Sequence, residues 1–111
     1  MKSNSLKTTT SSLPFNWYYD HKIFKQENDK IFKSEWIYVC HINSINKNQY
    51  RTLNINNKNI VVIKNKLEEI SIFYNTCLHR GSQIFNNQEG SIKAPVIICP
   101  YHQWSYDIKS G

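Results

Sequence analysis

Two short segments hold the residues able to do chemistry: Cys77-Leu78-His79-Arg80-Gly81 and Cys99-Pro100-Tyr101-His102-Gln103-Trp104. Each offers a thiolate and an imidazole a few residues apart, at the tip of an expected loop between strands. Cysteine and histidine are the soft and borderline ligands suited to zinc or to iron–sulfur chemistry. With one of each per loop, the set suits an asymmetric centre in which one metal takes both sulfurs and a second takes both imidazoles. The alternative is a Cys₂His₂ zinc site, where one tetrahedral ion takes all four ligands and the cysteines come as Cys-x₂₋₄-Cys knuckles. The single residue between Cys77 and His79 makes joint ligation of one ion awkward.

These segments need elements to position them. From Trp36 onward the hydrophobic period is two, and strands are expected at 36–42, 49–55, 60–65, 69–74, 92–98 and 104–108. The connections are turn-rich: Asn43 to Asn48, Asn56-Asn57-Lys58-Asn59 and Lys66-Leu67-Glu68. Several short antiparallel strands in succession predict a mainly β fold, a small antiparallel sandwich carrying two ligand-bearing loops. Upstream, Asp20 is placed to cap a short amphipathic helix from His21 to about Ser34, with Phe24 and Ile31 on one stripe and Ile23 beside it. Leu13-Pro14-Phe15-Asn16-Trp17-Tyr18-Tyr19 reads as an extended aromatic arm. The organisation expected is a disordered tail over 1–12, arm and helix over 13–35, and the β domain over 36–111.

Composition narrows the function classes. The chain has 111 residues, 40% of them apolar and 14% aromatic, which is enough to fill one small core and excludes global disorder. At this size a bound metal centre would add noticeably to stability. The net charge of +6 is spread along the chain without a basic run, which argues against nucleic-acid binding and fits solubility or docking to an acidic partner. Three cysteines, an odd number, argue against a disulfide scaffold. No apolar run is long enough to span a membrane and the polar N-terminus has no signal-peptide core, so a cytoplasmic protein is expected. The strand at Trp104–Ile108 runs into Lys109-Ser110-Gly111 as if into a hairpin, which reads as a domain continuing past this point.

Two histidines replacing two cysteines on one iron is the arrangement of a Rieske [2Fe–2S] centre. Cys-x-His-Arg-Gly followed by Cys-Pro-Tyr-His-x-Trp-x-Tyr-Asp resembles the Rieske domain of non-haem iron oxygenases, of the ring-hydroxylating type and its choline-, carnitine- and betaine-oxygenase relatives. The resemblance covers about residues 13–111, through Ser34-Glu35-Trp36-Ile37-Tyr38-Val39 and Ile72-Phe73-Tyr74-Asn75. It implies that Cys77 and Cys99 bind one iron, with His79 and His102 on the outer iron, facing the surface. It implies an oxidoreductase subunit fed by a reductase or ferredoxin, with a mononuclear Fe(II) site in a further C-terminal domain, working as a trimer or hexamer. A stand-alone Rieske ferredoxin is the other reading of the same motifs; the arm and helix before Trp36 favour the oxygenase.

Departures from the pattern are the long His79–Cys99 separation, absorbed in Asn86-Asn87-Gln88-Glu89-Gly90, and Gln103 where Gly or Ala is common. Ser82 and Tyr101 stand where high-potential forms carry a bridging cysteine pair, and Trp104 where those forms carry a serine. Fewer hydrogen bonds to the cluster stabilise the reduced form less, so a midpoint at the low end of about −150 to +300 mV is expected. Gly81 is expected to let backbone N–H groups approach the bridging sulfides, and Pro100 to stiffen the second loop. Of the rest, Cys40 reads as an inert buried thiol, His21 and His41 as non-ligands, and Arg80 as an interface residue. Trp36, Trp104, Phe73 and Tyr74 read as core packing; Lys58, Lys64 and Lys66 as a solvated face.

Overall fold

A computed structural model describes residues 11–111, and the chain divides into two compact units that meet in sequence at Glu35 and Trp36. Of the tail expected over 1–12, residues 1–10 lie outside the described residues.

In the first unit, Phe15–Tyr18 forms a 3₁₀ turn, so the arm is not extended as expected. Pro14 starts the turn, its carbonyl accepting the Trp17 N–H at 2.9 Å, and Phe15 packs edge-on against Tyr19 at 5.5 Å. Asp20 does cap helix α1 (His21–Glu27), its carboxylate accepting the Lys22 N–H at 2.7 Å. The helical run continues to Phe32, but as a wider π turn over Asn28–Phe32. The run ends where Ser34 folds its hydroxyl back onto the Lys30 carbonyl and the Glu35 N–H closes on Ile31.

The second unit is built of two antiparallel sheets. Strands β1 (Gln49–Ile55), β2 (Lys58–Lys64), β3 (Ile70–Tyr74) and β4 (Glu89–Ser91) form the larger, ordered β3-β2-β1-β4. Strands β5 (Val96–Ile98) and β6 (Ser105–Asp107) form the smaller. The β1–β2 hairpin turns on Asn56 and Asn57, both at positive φ (47° and 59°), the mirror-image turn that matches strand twist. Asparagine tolerates this conformation better than other side chains. The two sheets share one core: Tyr50, Val61 and Ile63 from the first meet Ile97 and Ile108, with Phe73, Ile84, Phe85, Ile92 and Tyr106 packed around them.

Four sequence expectations fail here for identifiable reasons. No strand forms over 36–42. That segment has no ladder partner and passes into a 3₁₀ turn at Ile42–Ser44, where His41 Nδ1 accepts the Asn43 N–H and the Ser44 hydroxyl bonds the His41 carbonyl. Trp36 and Tyr38 are accordingly exposed, as is Tyr74; of the four aromatics read as core, only Phe73 packs on it. The solvated face expected of the lysines fails at Lys64, which is buried with its ammonium on the Ile42 carbonyl at 3.3 Å. Strand pairing also shifts downstream: the predicted 92–98 strand is confined to Val96–Ile98, while β4 forms inside the segment read as a polar turn.

β4 exists because β1 recruits it. Tyr50 sits opposite Gly90 and folds its ring over it, so that a Cβ at Gly90 would lie 2.8 Å from the ring atoms. Gly90→Ala is therefore expected to destabilise the domain by about 1–3 kcal/mol, since neither the Tyr50 ring, held against Phe85 at 4.1 Å, nor the strand can yield. Urea unfolding of the two chains checks this.

Candidate metal centre

The two motif segments fold into loops of one design. In the first, which leaves β3, the Cys77 N–H donates to the Ser82 carbonyl at 2.8 Å and the Gly81 N–H returns to the Cys77 carbonyl at 2.9 Å. In the second, between β5 and β6, the Cys99 N–H donates to Trp104 at 2.8 Å and the Gln103 N–H to Cys99 at 3.0 Å. The fifth residue of each loop takes positive φ, +71° at Gly81 and +61° at Gln103. Gln103 thus holds a glycine-type conformation that most side chains adopt only at a cost of about 1–2 kcal/mol. The departure from Gly or Ala noted in the sequence acts through the backbone.

The loops bring all four sequence-predicted residues together, in two levels. Cys77 and Cys99 are buried, at 2% and 1% exposure, while His79 and His102 are exposed with ring centroids 4.7 Å apart, edge to face. The sulfurs collect hydroxyl partners: the Tyr106 hydroxyl lies 3.0 Å from Cys77 Sγ and accepts the Leu78 N–H at 3.1 Å, and Ser82 Oγ lies 3.3 Å from Cys99 Sγ. The Cys99 thiol is lowered to about 7, chiefly by the Ser82 hydroxyl and then by the Tyr101 backbone N–H, with Cys77 and the His102 N–H adding to it. The Tyr106 hydroxyl is pushed up, first by its bond to Cys77 and then by burial. A buried cysteine in an apolar core has no such partners. Here each sulfur has a hydroxyl partner and the Cys99 thiol is acidified, which favours the thiolate that metal ligation requires.

The donor set therefore fits a centre that takes two thiolates on its buried side and two imidazoles on its exposed side. Among the described residues, no three Cys, His, Asp or Glu side chains converge as they would on a single ion; the four candidates pair off two and two. Cys40, expected to be buried, is half-buried in the extended stretch before Ile42, and His41 spends Nδ1 on the local turn.

Sequence reasoning missed the neighbours of these four. Trp104, assigned to the core, is 48% exposed and stacks on the His79 ring at 4.8 Å and 14°. Tyr101 lies against His102 at 3.8 Å. Ser82, where a bridging thiol is missing, instead places a hydroxyl on the opposite loop's sulfur. Tyr106 stands in the second motif, but its contact with the opposite loop's sulfur is not legible there. The expectation of a low potential rested on the missing serine at 104 and did not count these two hydroxyls.

A short-stranded β sandwich presenting two Cys/His loops, one leaving β3 and one joining β5 to β6, is the architecture of a small iron–sulfur domain. Residues 35–111 match the Rieske [2Fe–2S] domain, and the chain belongs to that family. Its cofactor is accordingly the Rieske cluster. The chain is 39% identical over 95 residues to the alpha subunit of 2-aminobenzenesulfonate 2,3-dioxygenase from Alcaligenes sp., covering 85% of this chain and 24% of that protein. It is 36% identical over 98 residues to the oxygenase subunit of carnitine monooxygenase from Escherichia coli K12, covering 87% and 26%. The apo crystal structure of the quaternary ammonium Rieske monooxygenase CntA superposes with a TM-score of 0.76 at 35% identity, covering 87% of this chain and 28% of that one. The chain thus spans about a quarter of the length of the relatives it matches. No helix among the described residues is long and apolar enough to cross a membrane.

Tyr106→Phe is expected to lower the midpoint potential of the loaded domain. Were Cys77 to ligate iron as a thiolate, the Tyr106 hydroxyl would be the donor of this pair and would stabilise the more negative reduced state. Each 1.4 kcal/mol of that preference corresponds to about 59 mV for a one-electron couple. A hydrogen bond to a charged group is worth roughly 1.5–3 kcal/mol, so a fall of up to about 60–130 mV is expected in protein-film voltammetry.

Proposed function

We propose that Cys77 and Cys99 hold the inner iron of the cluster and His79 and His102 the outer one. On this reading the chain is the electron-transfer portion of a Rieske oxygenase subunit, an oxidoreductase. The observation that carries the assignment is the buried thiol pair, each sulfur with a hydroxyl partner, beneath two exposed imidazoles that face each other. When bound, the group supplies reversible one-electron transfer. The protein's part is to hold the sulfurs charged and dry, and to keep the imidazole edges at the surface where a partner can reach them. Trp104 restrains the His79 ring by stacking, and the loop hydrogen bonds set the spacing of the ligands.

The further reading is that electrons arrive from a reductase or ferredoxin and leave for a mononuclear Fe(II) site of two histidines and a carboxylate, carried outside these 111 residues. A cytoplasmic trimer or hexamer is proposed for the whole protein. The match to oxygenase subunits of several substrate classes supports the oxygenase and leaves its substrate to experiment.

Anaerobic reconstitution of the chain with ferrous iron and sulfide tests the ligand assignment. Two irons and two acid-labile sulfides per chain, with an EPR signal on reduction, are expected; one zinc per chain and no chromophore would overturn it. The midpoint expected from the sequence is at the low end of the Rieske range, and a clearly positive value would reject that part alone. The intact mass of the native protein in its own cells tests the rest. A mass several times 13.2 kDa is expected of an oxygenase subunit, and a mass of 13.2 kDa with a full cluster would make the chain a ferredoxin-type carrier.

A further inference from the structure

We infer that Asn75 is a positioning residue for the centre, acting through Ser82; the inference rests on the ligand assignment above. Asn75 is neither a ligand nor part of a ligand loop, yet it is among the most buried residues of the chain, at 1% exposure. Its carboxamide is fully used. Oδ1 accepts the Phe85 N–H at 2.8 Å, while Nδ2 donates to the Phe85 carbonyl at 2.8 Å and to Asn59 Oδ1 at 2.7 Å. Its backbone N–H donates to the Asn59 carbonyl at 2.9 Å, so the residue is also anchored to β2.

The side chain therefore does for Phe85 what a neighbouring strand would do, presenting one acceptor and one donor to the peptide groups of a segment that is not itself in a sheet. This clamp closes the first ligand loop at its base. Above it come the Cys77–Ser82 bond at 2.8 Å and the Gly81–Cys77 bond at 2.9 Å. With residues 75 and 85 fixed to each other, the segment between them has one register, and in that register Ser82 faces both Cys77 and, across the gap, the Cys99 sulfur. Releasing Phe85 would let the Ser82–Phe85 return slide, and the bond to the Cys99 sulfur is the one that depends on that return from outside its own loop.

The consequence is a potential effect without a ligand change. Once Cys99 is an iron-bound thiolate, the Ser82 hydroxyl is the donor of the Oγ–Sγ pair, so loss of that alignment destabilises the reduced state. Asn75→Ala is expected to lower the midpoint of the reconstituted chain in the same direction as Ser82→Ala. In the Asn75→Ala/Ser82→Ala double variant the further shift is expected to vanish, because the two changes remove the same bond. Cluster loss to a chelator is expected to be about tenfold faster in Asn75→Ala, a size in keeping with residues that support ligands. Asn59→Ala, which takes away one of the three carboxamide partners, serves as the milder variant with a smaller shift of the same sign.

Failure of the wild-type chain to take up a [2Fe–2S] cluster would refute the ligand assignment. With a loaded wild type, a midpoint unchanged in folded Asn75→Ala, or shifts that simply add in the double variant, would overturn the role of Asn75. Unfolding of Asn75→Ala leaves Asn59→Ala to decide: a lowered midpoint supports positioning, whereas an unchanged midpoint, or unfolding of this variant as well, assigns the network to stability alone.

Discussion

Cys99→Ala is expected to abolish the cluster while leaving the fold in place. Changes to residues that merely support a metal ligand cost roughly 10–100-fold in affinity, and deletion of a ligand costs more. Reconstitution of the variant should therefore yield no chromophore, no labile sulfide and no EPR signal on reduction. The side chain lost is small, so the destabilisation of the cluster-free chain should be on the order of 1 kcal/mol. Cys99 is the more informative of the two cysteines because it carries the lowered thiol and the Ser82 contact. His102→Ala removes a proposed ligand from the exposed level and should also prevent assembly. A cluster retained at full stoichiometry in either variant would reassign the site.

Ile63→Ala is expected to cost about 3–4 kcal/mol, the largest effect of a single core truncation here. Ile63 is 1% exposed on the central strand β2, in the cluster where Tyr50 and Val61 meet Ile97 and Ile108 across the two sheets. Removing three carbons there loses their transfer energy and leaves a cavity that two hydrogen-bonded sheets cannot collapse to fill. A chain of 111 residues has a total stability on the order of 5–15 kcal/mol, so a large share would go. The thermal midpoint of the cluster-free chain should fall by roughly 15 °C. Val62→Ala, one position along and facing the opposite side of the sheet, would not open the same cavity. An Ile63→Ala midpoint within a few degrees of wild type would mean that the two sheets do not share this core.

The strands were legible where pairing partners lie close in sequence. β1, β2 and β3 follow one another through short turns, and their alternation is backed by local hydrogen bonds, so their expected ranges agree with those found to within two residues. The segment at 36–42 has the same kind of alternation and no partner. A strand is a property of a pair, and one chain segment read alone cannot show whether its neighbour exists. β4 was hidden for the converse reason: Glu89-Gly90-Ser91 has turn composition, and it is a strand because it pairs with Gln49–Arg51 of β1, with the Tyr50 ring lying over Gly90.

The candidate site was legible in its four proposed ligands and opaque in its surroundings. Cys77, His79, Cys99 and His102 were identifiable by residue type and spacing, because soft donors are rare and their grouping is chemically restrictive. The hydroxyl contacts of Tyr106 and Ser82 were not, since a hydroxyl becomes relevant only by lying against a particular sulfur. Asn75 was equally silent, as its partners Asn59 and Phe85 stand 16 and 10 residues away.

Composition and motif spacing by themselves thus determined the class of centre, its four candidate ligands and a mainly β scaffold, because ligand chemistry and hydrophobic period are written in residue types over short distances. The tertiary structure alone decided which thiol is acidified, which ring stacks on which imidazole, and which amide braces the loop. Each of those depends on atoms brought within about 3–5 Å by the packing of two sheets, and no local pattern in the chain encodes that distance.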